Sequence, residues 1–358
     1  MGENTILITG GCGFIGTNLV EAALQDGYTV GNLDKLTYAG RLDPPHSPRC
    51  FSPYVFRQGD ICDIPLVKGF LENLKPSAVV HLAAETHVDR SIDAPEKFVQ
   101  NNILGTHALL RAVLQYWRQL PEEERYAFRF LHVSTDEVFG SLGPEGFFQE
   151  STPYAPRSPY AASKASSDHM VRAYGHTYGL PVIVSNCSNN YGPFQYPEKL
   201  IPLAINRAIR GQTIPVYGDG QNIRDWIYVE DHCRALLSIL RKGRTGETYL
   251  VGGNSEKSNL EVIRSICSIL DELHPRADRR GYIQQLTFVQ DRPGHDRRYA
   301  VNATKIMLEL GWKPRVRFNE GIRRTVEWYL SQQRWVEEML SGKYGLERLG
   351  IPKNGVIP

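Results

Sequence analysis

Short apolar runs alternate with stretches of helical period along the first half of the chain. Thr5–Thr9 is a five-residue run of β type, and Thr29–Leu33, Tyr54–Gln58, Ala78–Leu82, Phe128–Ser134 and Val182–Asn186 repeat the pattern. Between them apolar residues recur at helical spacing: Leu19, Ala22, Ala23 and Leu24, ending near Gly27, then Ile64–Leu74, Ala94–Gln119 and Tyr160–Tyr178. Strands alternating with helices build a parallel sheet, because each crossover helix returns the chain to the same sheet end. The pattern predicts an α/β protein whose doubly wound parallel sheet occupies residues 1–190. After residue 190 the pattern turns irregular and rich in Pro, Gly and Tyr. That change predicts a smaller domain over 191–330 that closes over the sheet edge, with Pro193–Pro197 as its entrance and part of its chain returning to the first domain. Residues 331–358 read as a tail with one amphipathic stretch, Gln332–Leu340, and no evident role.

Ligands of doubly wound sheets meet the carboxyl ends of the strands, and Gly10, Asp34, Asp60, Ala83 and Thr135 all stand at such ends. Gly10, Gly13 and Gly16 make a G-x-x-G-x-x-G turn, one residue wider than the common dinucleotide fingerprint. Glycines there permit a tight turn and let a pyrophosphate approach the N–H groups of a helix N-terminus. Asp34 closes the second strand, where a carboxylate hydrogen-bonds a ribose 2′-hydroxyl and repels a 2′-phosphate. NAD is favoured over NADP, although the adjacent Lys35 could meet a phosphate.

Tyr160 and Lys164 lie four residues apart on a predicted helix and so share one face. An ammonium beside a phenol favours the phenolate, which can serve as a base near neutral pH. Thr135, Asp136 and Glu137 put a hydroxyl and two carboxyl groups at the end of an apolar run. A base for an alcohol plus two carboxyl groups for further proton transfers points beyond oxidation, to elimination of water. For Asp136 to act as an acid near pH 7, burial and the neighbouring carboxylate must raise its pKa.

The 358 residues are 41% apolar and 22% charged, with a net charge of +2, which gives no reason to invoke nucleic acid or a membrane surface. No apolar run reaches the length of a membrane span, and the N-terminus lacks a signal-peptide pattern. The six cysteines have no zinc-like spacing and fit reduced thiols in a cytoplasmic protein, so no metal site is expected. His81 and His132 are expected to be packed core residues, and His87 a structural or substrate-shell residue.

Longer motifs carry a resemblance. Thr9–Gly16 (TGGCGFIG), Leu33–Gly40 (LDKLTYAG), Gly59–Asp63 (GDICD) and Leu82–Ser91 (LAAETHVDRS) are similar to the extended short-chain dehydrogenase/reductases. Thr135-Asp136-Glu137 narrows the resemblance to the sugar-nucleotide 4,6-dehydratases. Tyr196–Pro202 (YPEKLIP) and Asp291–Tyr299 (DRPGHDRRY) narrow it to their thymidine-nucleotide branch. It covers roughly residues 4 to 330. The resemblance implies a Rossmann-like doubly wound parallel sheet with a smaller C-terminal α/β substrate-binding domain. It also implies NAD as cofactor and dTDP-glucose as the small-molecule substrate, converted to dTDP-4-keto-6-deoxyglucose and water.

In that scheme Tyr160, helped by Lys164, removes the proton of the sugar 4-hydroxyl as carbon 4 is oxidised. Glu137 then takes the carbon 5 proton, Asp136 protonates the departing 6-hydroxyl, and Thr135 hydrogen-bonds the 4-oxygen. The resemblance puts Gly10, Gly13, Phe14, Ile15 and Gly16 at the pyrophosphate and Asp34, Lys35 and Thr37 at the adenosine ribose. Asp60 and Ile61 would border the adenine, and Leu82, Ala83, Ala84 and Thr86 the cofactor and sugar, with Asn101 near the nicotinamide. The nucleotide sugar would meet Asn189, Glu198, Lys199, Leu200, Pro215, Tyr217, Arg224, Asn259, Asp291 and His295. Arg224 is chemically suited to a diphosphate because its guanidinium forks onto oxyanions, and Arg292 is expected at phosphate or nucleotide too.

Three positions depart from the family pattern: Phe139 replaces a usual Tyr, Cys12 a common Ala, and Asn101 a frequent Thr. A homodimer is expected, with Ala94–Gln119 and Tyr160–Tyr178 pairing across a two-fold axis, although both could equally cover the sheet. Open alternatives are a UDP- or CDP-glucose 4,6-dehydratase, a nucleotide-sugar 4-epimerase, which has no need of Asp136 and Glu137, and a non-catalytic NAD-binding protein.

Overall fold

In a computed structural model, residues 4–42 and 53–341 are described. The Gly- and Pro-containing end of the expected tail, from 342 onward, lies outside them. The first half of the chain forms β1 (Thr5–Thr9), β2 (Thr29–Asp34), β3 (Tyr54–Gln58), β4 (Ala78–His81), β5 (Arg129–Thr135) and β6 (Val182–Cys187). The second half adds β7 (Asn189–Tyr191), β8 (Ile214–Tyr217), β9 (Ile223–Tyr228), β10 (Thr248–Val251), β11 (Glu256–Ser258) and β12 (Leu286–Val289). Seven strands make one parallel sheet in the order β10-β6-β5-β4-β1-β2-β3. All residues of β1 and β4 are buried, as a sheet covered on both faces requires. Ile6 and Ile8 point to a core shared with helices Phe14–Gln25 and Val229–Lys242, whereas Leu7 points to one shared with Ile64–Leu74, Gly105–Gln119 and Pro159–Tyr178. The strand order reverses between β1 and β4, and this switch point opens a crevice at the strand ends.

Two expectations are corrected. The single helix expected over Ala94–Gln119 is divided into Pro95–Phe98, a π-helical turn at Val99–Leu104, and Gly105–Gln119. The turn brings Asn102 inward, where its side chain accepts from Glu85 N at 2.8 Å and donates to Glu85 O at 2.9 Å and Ser163 Oγ at 2.8 Å. The chain beyond 190 is also regular, with helices Leu200–Ile209, Val229–Lys242, Asn259–Leu273, Thr304–Leu310 and Phe318–Ser331. Proline did not break the first of these, because Pro202 falls in its first turn, where no intrahelical donor is lost. β10 and Val229–Lys242 join the large sheet, while Tyr191, Tyr196, Ile205, Trp226, Ile263 and Phe318 share a second core. Gln333–Leu340 buries Trp335, Val336 and Met339 in that second core.

Candidate active site

Every residue that the resemblance assigns to the cofactor, from Gly10 to Lys164, lines the crevice at the switch point. Thr86, Thr135, Asp136, Glu137, Asn189, Glu198 and Lys199 line it with them. Gly10 has φ +75°, and a Cβ at Gly16 would stand 2.1 Å from the Gly10 carbonyl oxygen, so the turn admits no larger residue. Gly13 gives helix Phe14–Gln25 no side-chain cap, leaving its first N–H groups without partners inside the helix. Asp34 accepts from Cys12 N at 2.9 Å and Leu36 N at 2.8 Å, which fixes its carboxylate at the end of β2. Lys35 pairs with Asp60 at 2.6 Å, so the charge that could have met a 2′-phosphate is already answered. A glycine cradle, bare helix N–H groups and an oriented carboxylate fit NAD.

β5 delivers the carboxyl groups. After Thr135 the chain turns through a 3-10 helix, Asp136–Phe139, capped by the Thr135 hydroxyl, which accepts from Glu137 N at 3.2 Å. The same hydroxyl donates to Asp136 Oδ1 at 3.2 Å. Asp136 is 1% exposed, and burial first, then Glu137, pushes its pKa well above the carboxylate range. Burial also raises Glu137, against the pull of Arg292, Lys199 and Arg224. Ser158 caps helix Pro159–Tyr178, accepting from Ala161 N at 3.1 Å, and carries Tyr160 and Lys164 into the crevice wall. Lys164 Nζ donates to the Val133 carbonyl at 2.9 Å. The expected lowering of the Tyr160 phenol is not found: burial first, then the Glu137 charge, raises it well above its ordinary value, against the pull of the Thr135 hydroxyl. Desolvation of the phenolate is the largest of these effects.

Of the expected substrate residues, Glu198 and Lys199 are on the crevice wall, whereas Leu200, Pro215, Tyr217, Arg224, Asn259, Asp291 and His295 are not. Glu198 is committed on both oxygens, accepting from Tyr38 Oη at 2.9 Å and Arg90 Nε at 2.8 Å, and Lys199 Nζ donates to Thr86 O at 2.8 Å. Leu200 opens a helix against the second core, and Pro215 lies on β8, which pairs with β12. Tyr217 donates to Asp89 Oδ2 at 3.3 Å. Asn259 starts helix Asn259–Leu273, its N–H donating to Asn222 O. Asp291 and His295 pair at 2.6 Å, and burial holds the imidazole down at about 4. Arg224 is buried over the Tyr299 ring, 4.2 Å from its centroid, and donates to the carbonyls of Ile223 and Asp296 at 2.7 and 2.9 Å. Arg292 pairs with Asp89 at 2.6 Å, and both arginines act on Glu137.

Phe139 sits in an apolar cluster, stacked on Phe148 with ring centroids 5.1 Å apart, so its missing hydroxyl takes nothing from the crevice wall. Cys12 is buried, its sulfur accepting from Asn32 Nδ2 at 3.3 Å. His81 and His132 are packed core residues, and His87 caps the Val88–Asp93 helix. Sequence reasoning missed Tyr38 and Arg90, whose guanidinium carbon lies 4.0 Å from the Tyr38 ring centroid. Both fall inside quoted motifs, but nothing local says that they meet. It also missed Asp168, whose only local signal is its place one turn beyond Lys164. Among the described residues no helix is long and apolar enough to cross a membrane, and no group of three or more His, Cys, Asp or Glu could hold a metal ion.

The sheet order and the crevice at its switch point define a Rossmann-type protein of the class that contains sugar-nucleotide dehydratases and epimerases. The model of the GDP-mannose 4,6 dehydratase family matches residues 7–325, and the chain belongs to that family. It is 57% identical over 346 residues to the dTDP-glucose 4,6-dehydratase of Xanthomonas campestris pv. campestris (strain B100), covering 97% of this chain and 99% of that one. Among solved structures, the dTDP-glucose 4,6-dehydratase of Bacillus anthracis str. Ames in complex with NAD is 43% identical with a TM-score of 0.81. That of Streptomyces venezuelae, with NAD and the ligand TYD bound, is 42% identical with a TM-score of 0.84. Each comparison covers 94% of this chain and 99% of the other.

Proposed function

We infer that this protein is an NAD-dependent hydro-lyase that converts dTDP-glucose to dTDP-4-keto-6-deoxyglucose and water. The observation that carries the reading is the buried Asp136 beside Glu137, on the wall that also holds Tyr160. A 4-epimerase has no use for that pair. The choice of nucleotide rests on the relatives, at 52–57% identity, that carry the thymidine name.

Tyr160 Oη receives the proton of the sugar 4-hydroxyl, with Thr135 Oγ1 beside it to hold the 4-oxygen. NAD, when bound, supplies the hydride acceptor and donor of a redox-neutral cycle and a ring charge that favours the Tyr160 phenolate. The 4-ketone acidifies the carbon 5 proton, which Glu137 takes. Arg292, Lys199 and Arg224 act on Glu137 so that it is the more easily ionised of the two carboxyls. Asp136, kept protonated by burial, gives its proton to the departing 6-hydroxyl, and carbon 5 is reprotonated to balance the hydride returned to carbon 6. Gly10 to Gly16, Asp34 and Asp60 hold the dinucleotide. Asn189, Lys199, Arg224, Arg292 and His295 surround the nucleotide sugar.

The test incubates purified protein with dTDP-glucose and, separately, UDP-glucose, following products by mass spectrometry without added reduced cofactor. Loss of one water from dTDP-glucose with no net consumption of NAD is the expected result. Water loss from UDP-glucose alone would keep the chemistry and refute the branch. An unchanged mass with both substrates, with NAD bound, would refute the reaction.

The reading includes a cytoplasmic homodimer. Val99 and Leu104, 47% and 48% exposed, and Tyr178, 44% exposed, offer a second copy apolar cover on the two helical segments. The described cysteines form no disulfide, which fits a reducing compartment. Sedimentation at twice the chain mass is expected; a monomer at micromolar concentration would remove the dimer.

A further inference from the structure

Behind the crevice wall lies a buried group that the proposed reaction does not use. Asp168 follows Lys164 by one turn on helix Pro159–Tyr178, so Tyr160, Lys164 and Asp168 share one helix face. It is fully buried, yet three hydrogen-bond donors reach it, from β5, β6 and the segment before its own helix. Oδ2 accepts from Tyr154 Oη at 2.7 Å, Ser134 Oγ at 2.9 Å and Asn186 Nδ2 at 3.2 Å, and Oδ1 lies 3.1 Å from His132 Nε2. Donors to this number stabilise the ionised form, and they hold its pKa below the ordinary carboxylate value despite burial. A buried carboxylate needs a counter-charge. His132 does not provide one, because burial lowers it to about 4 and it is neutral at pH 7. Arg172 is held one hydroxyl away, donating to Tyr154 Oη at 2.8 Å and to Thr248 Oγ1.

Lys164 is the complementary case. Its Nζ has one strand carbonyl, Val133 O, and burial favours its neutral form. The groups acting on it from neighbouring elements are Cys187 on β6, a thiol pushed up to about 12, and His81 and His132 on β4 and β5, both neutral. Asp168 is the carboxylate that acts on it. We propose that Asp168 is a positioning residue: its buried carboxylate is the counter-charge that keeps Lys164 an ammonium, one turn from Tyr160, behind the crevice wall. The role in turnover rests on the reading that Tyr160 and Lys164 serve the sugar 4-hydroxyl; the charge pair itself does not.

Asp168→Asn removes the charge and keeps the shape. Lys164 then loses its proton at lower pH, so the alkaline limb of the kcat profile is expected to move down by about one pH unit or more. KM for dTDP-glucose should stay within about twofold, since no substrate contact is lost. Asp168→Glu, which keeps the charge, should restore the limb. A profile that keeps its shape and only drops in height would overturn the proposal, because a merely structural role does that. If Asp168→Asn does not fold, the double variant Lys164→Met/Asp168→Asn decides the question, since it removes both charges at once. It should be more stable to urea than Lys164→Met alone, because an unpaired buried charge costs more than none, and its residual rate should equal that of Lys164→Met. No gain in stability would overturn the pair. If the unaltered protein fails to dehydrate dTDP-glucose, the reaction is refuted, whereas the urea comparison still tests Asp168.

Discussion

Asp136 and Glu137 are neighbours in sequence, yet the fold treats them differently. Asp136 is buried with the Glu137 and Asp225 charges set against Arg224, while Glu137 has three cations acting on it. Glu137→Gln should therefore leave oxidation of the sugar intact and stop water loss. We expect absorbance of reduced cofactor at substrate addition, with product falling by about 100-fold or more; full turnover would remove Glu137 from the scheme. Asp136 has a stability consequence as well. Its folded pKa lies above its unfolded one, so the fold is undisturbed below the unfolded pKa and loses stability as pH rises toward the folded value. Asp136→Asn should raise Tm at pH 8, by about 2–4 °C for each kcal/mol recovered, and the gain should vanish near about pH 4. Equal gains at both pH values would contradict the assigned direction.

Helix Pro159–Tyr178 was legible because its signals are local: a Ser158 cap, Pro159 at the first position, and Gly179 just past the end at φ +71°. The π-helical turn at Val99–Leu104 was not legible. Its cause is Asn102 meeting Glu85 and Ser163, two residues far away in sequence. The glycine turn belongs with the local signals. Gly16→Ala would drive its Cβ into the Gly10 carbonyl, and a backbone atom cannot step aside as a side chain can. The variant should retain bound NAD about tenfold less well or worse through gel filtration; undiminished NAD content would show that the turn relaxes.

The molecule as a whole is closed by its last described helix, which a reading of the sequence leaves without a role. Gln333–Leu340 packs Trp335 and Val336 into the second core, and Glu338 pairs with Arg41 at 2.5 Å. The Arg41 N–H in turn donates to the Cys12 carbonyl, at the glycine turn. A chain ending at Gln332 should lose about 3 kcal/mol or more of stability to urea, as expected when large apolar side chains leave a core. Unchanged stability would mean that the helix only rests on the surface.

The amphipathic pattern of that helix was visible in the sequence, but two of its partners, Phe194 and Tyr196, come from far earlier in the chain. That division holds throughout. The sequence alone determined the alternating strands, the glycine cradle, the order Thr135-Asp136-Glu137 and the Tyr160–Lys164 face, because periodicity and short spacing are properties of neighbouring residues. Only the tertiary structure decided which carboxyl is pushed further toward its protonated form, that Lys35 is taken by Asp60, that the Arg292 charge acts on Glu137 and that Asp168 stands behind Lys164. Burial and electric field are sums over groups from many elements, and no window of sequence contains those groups together.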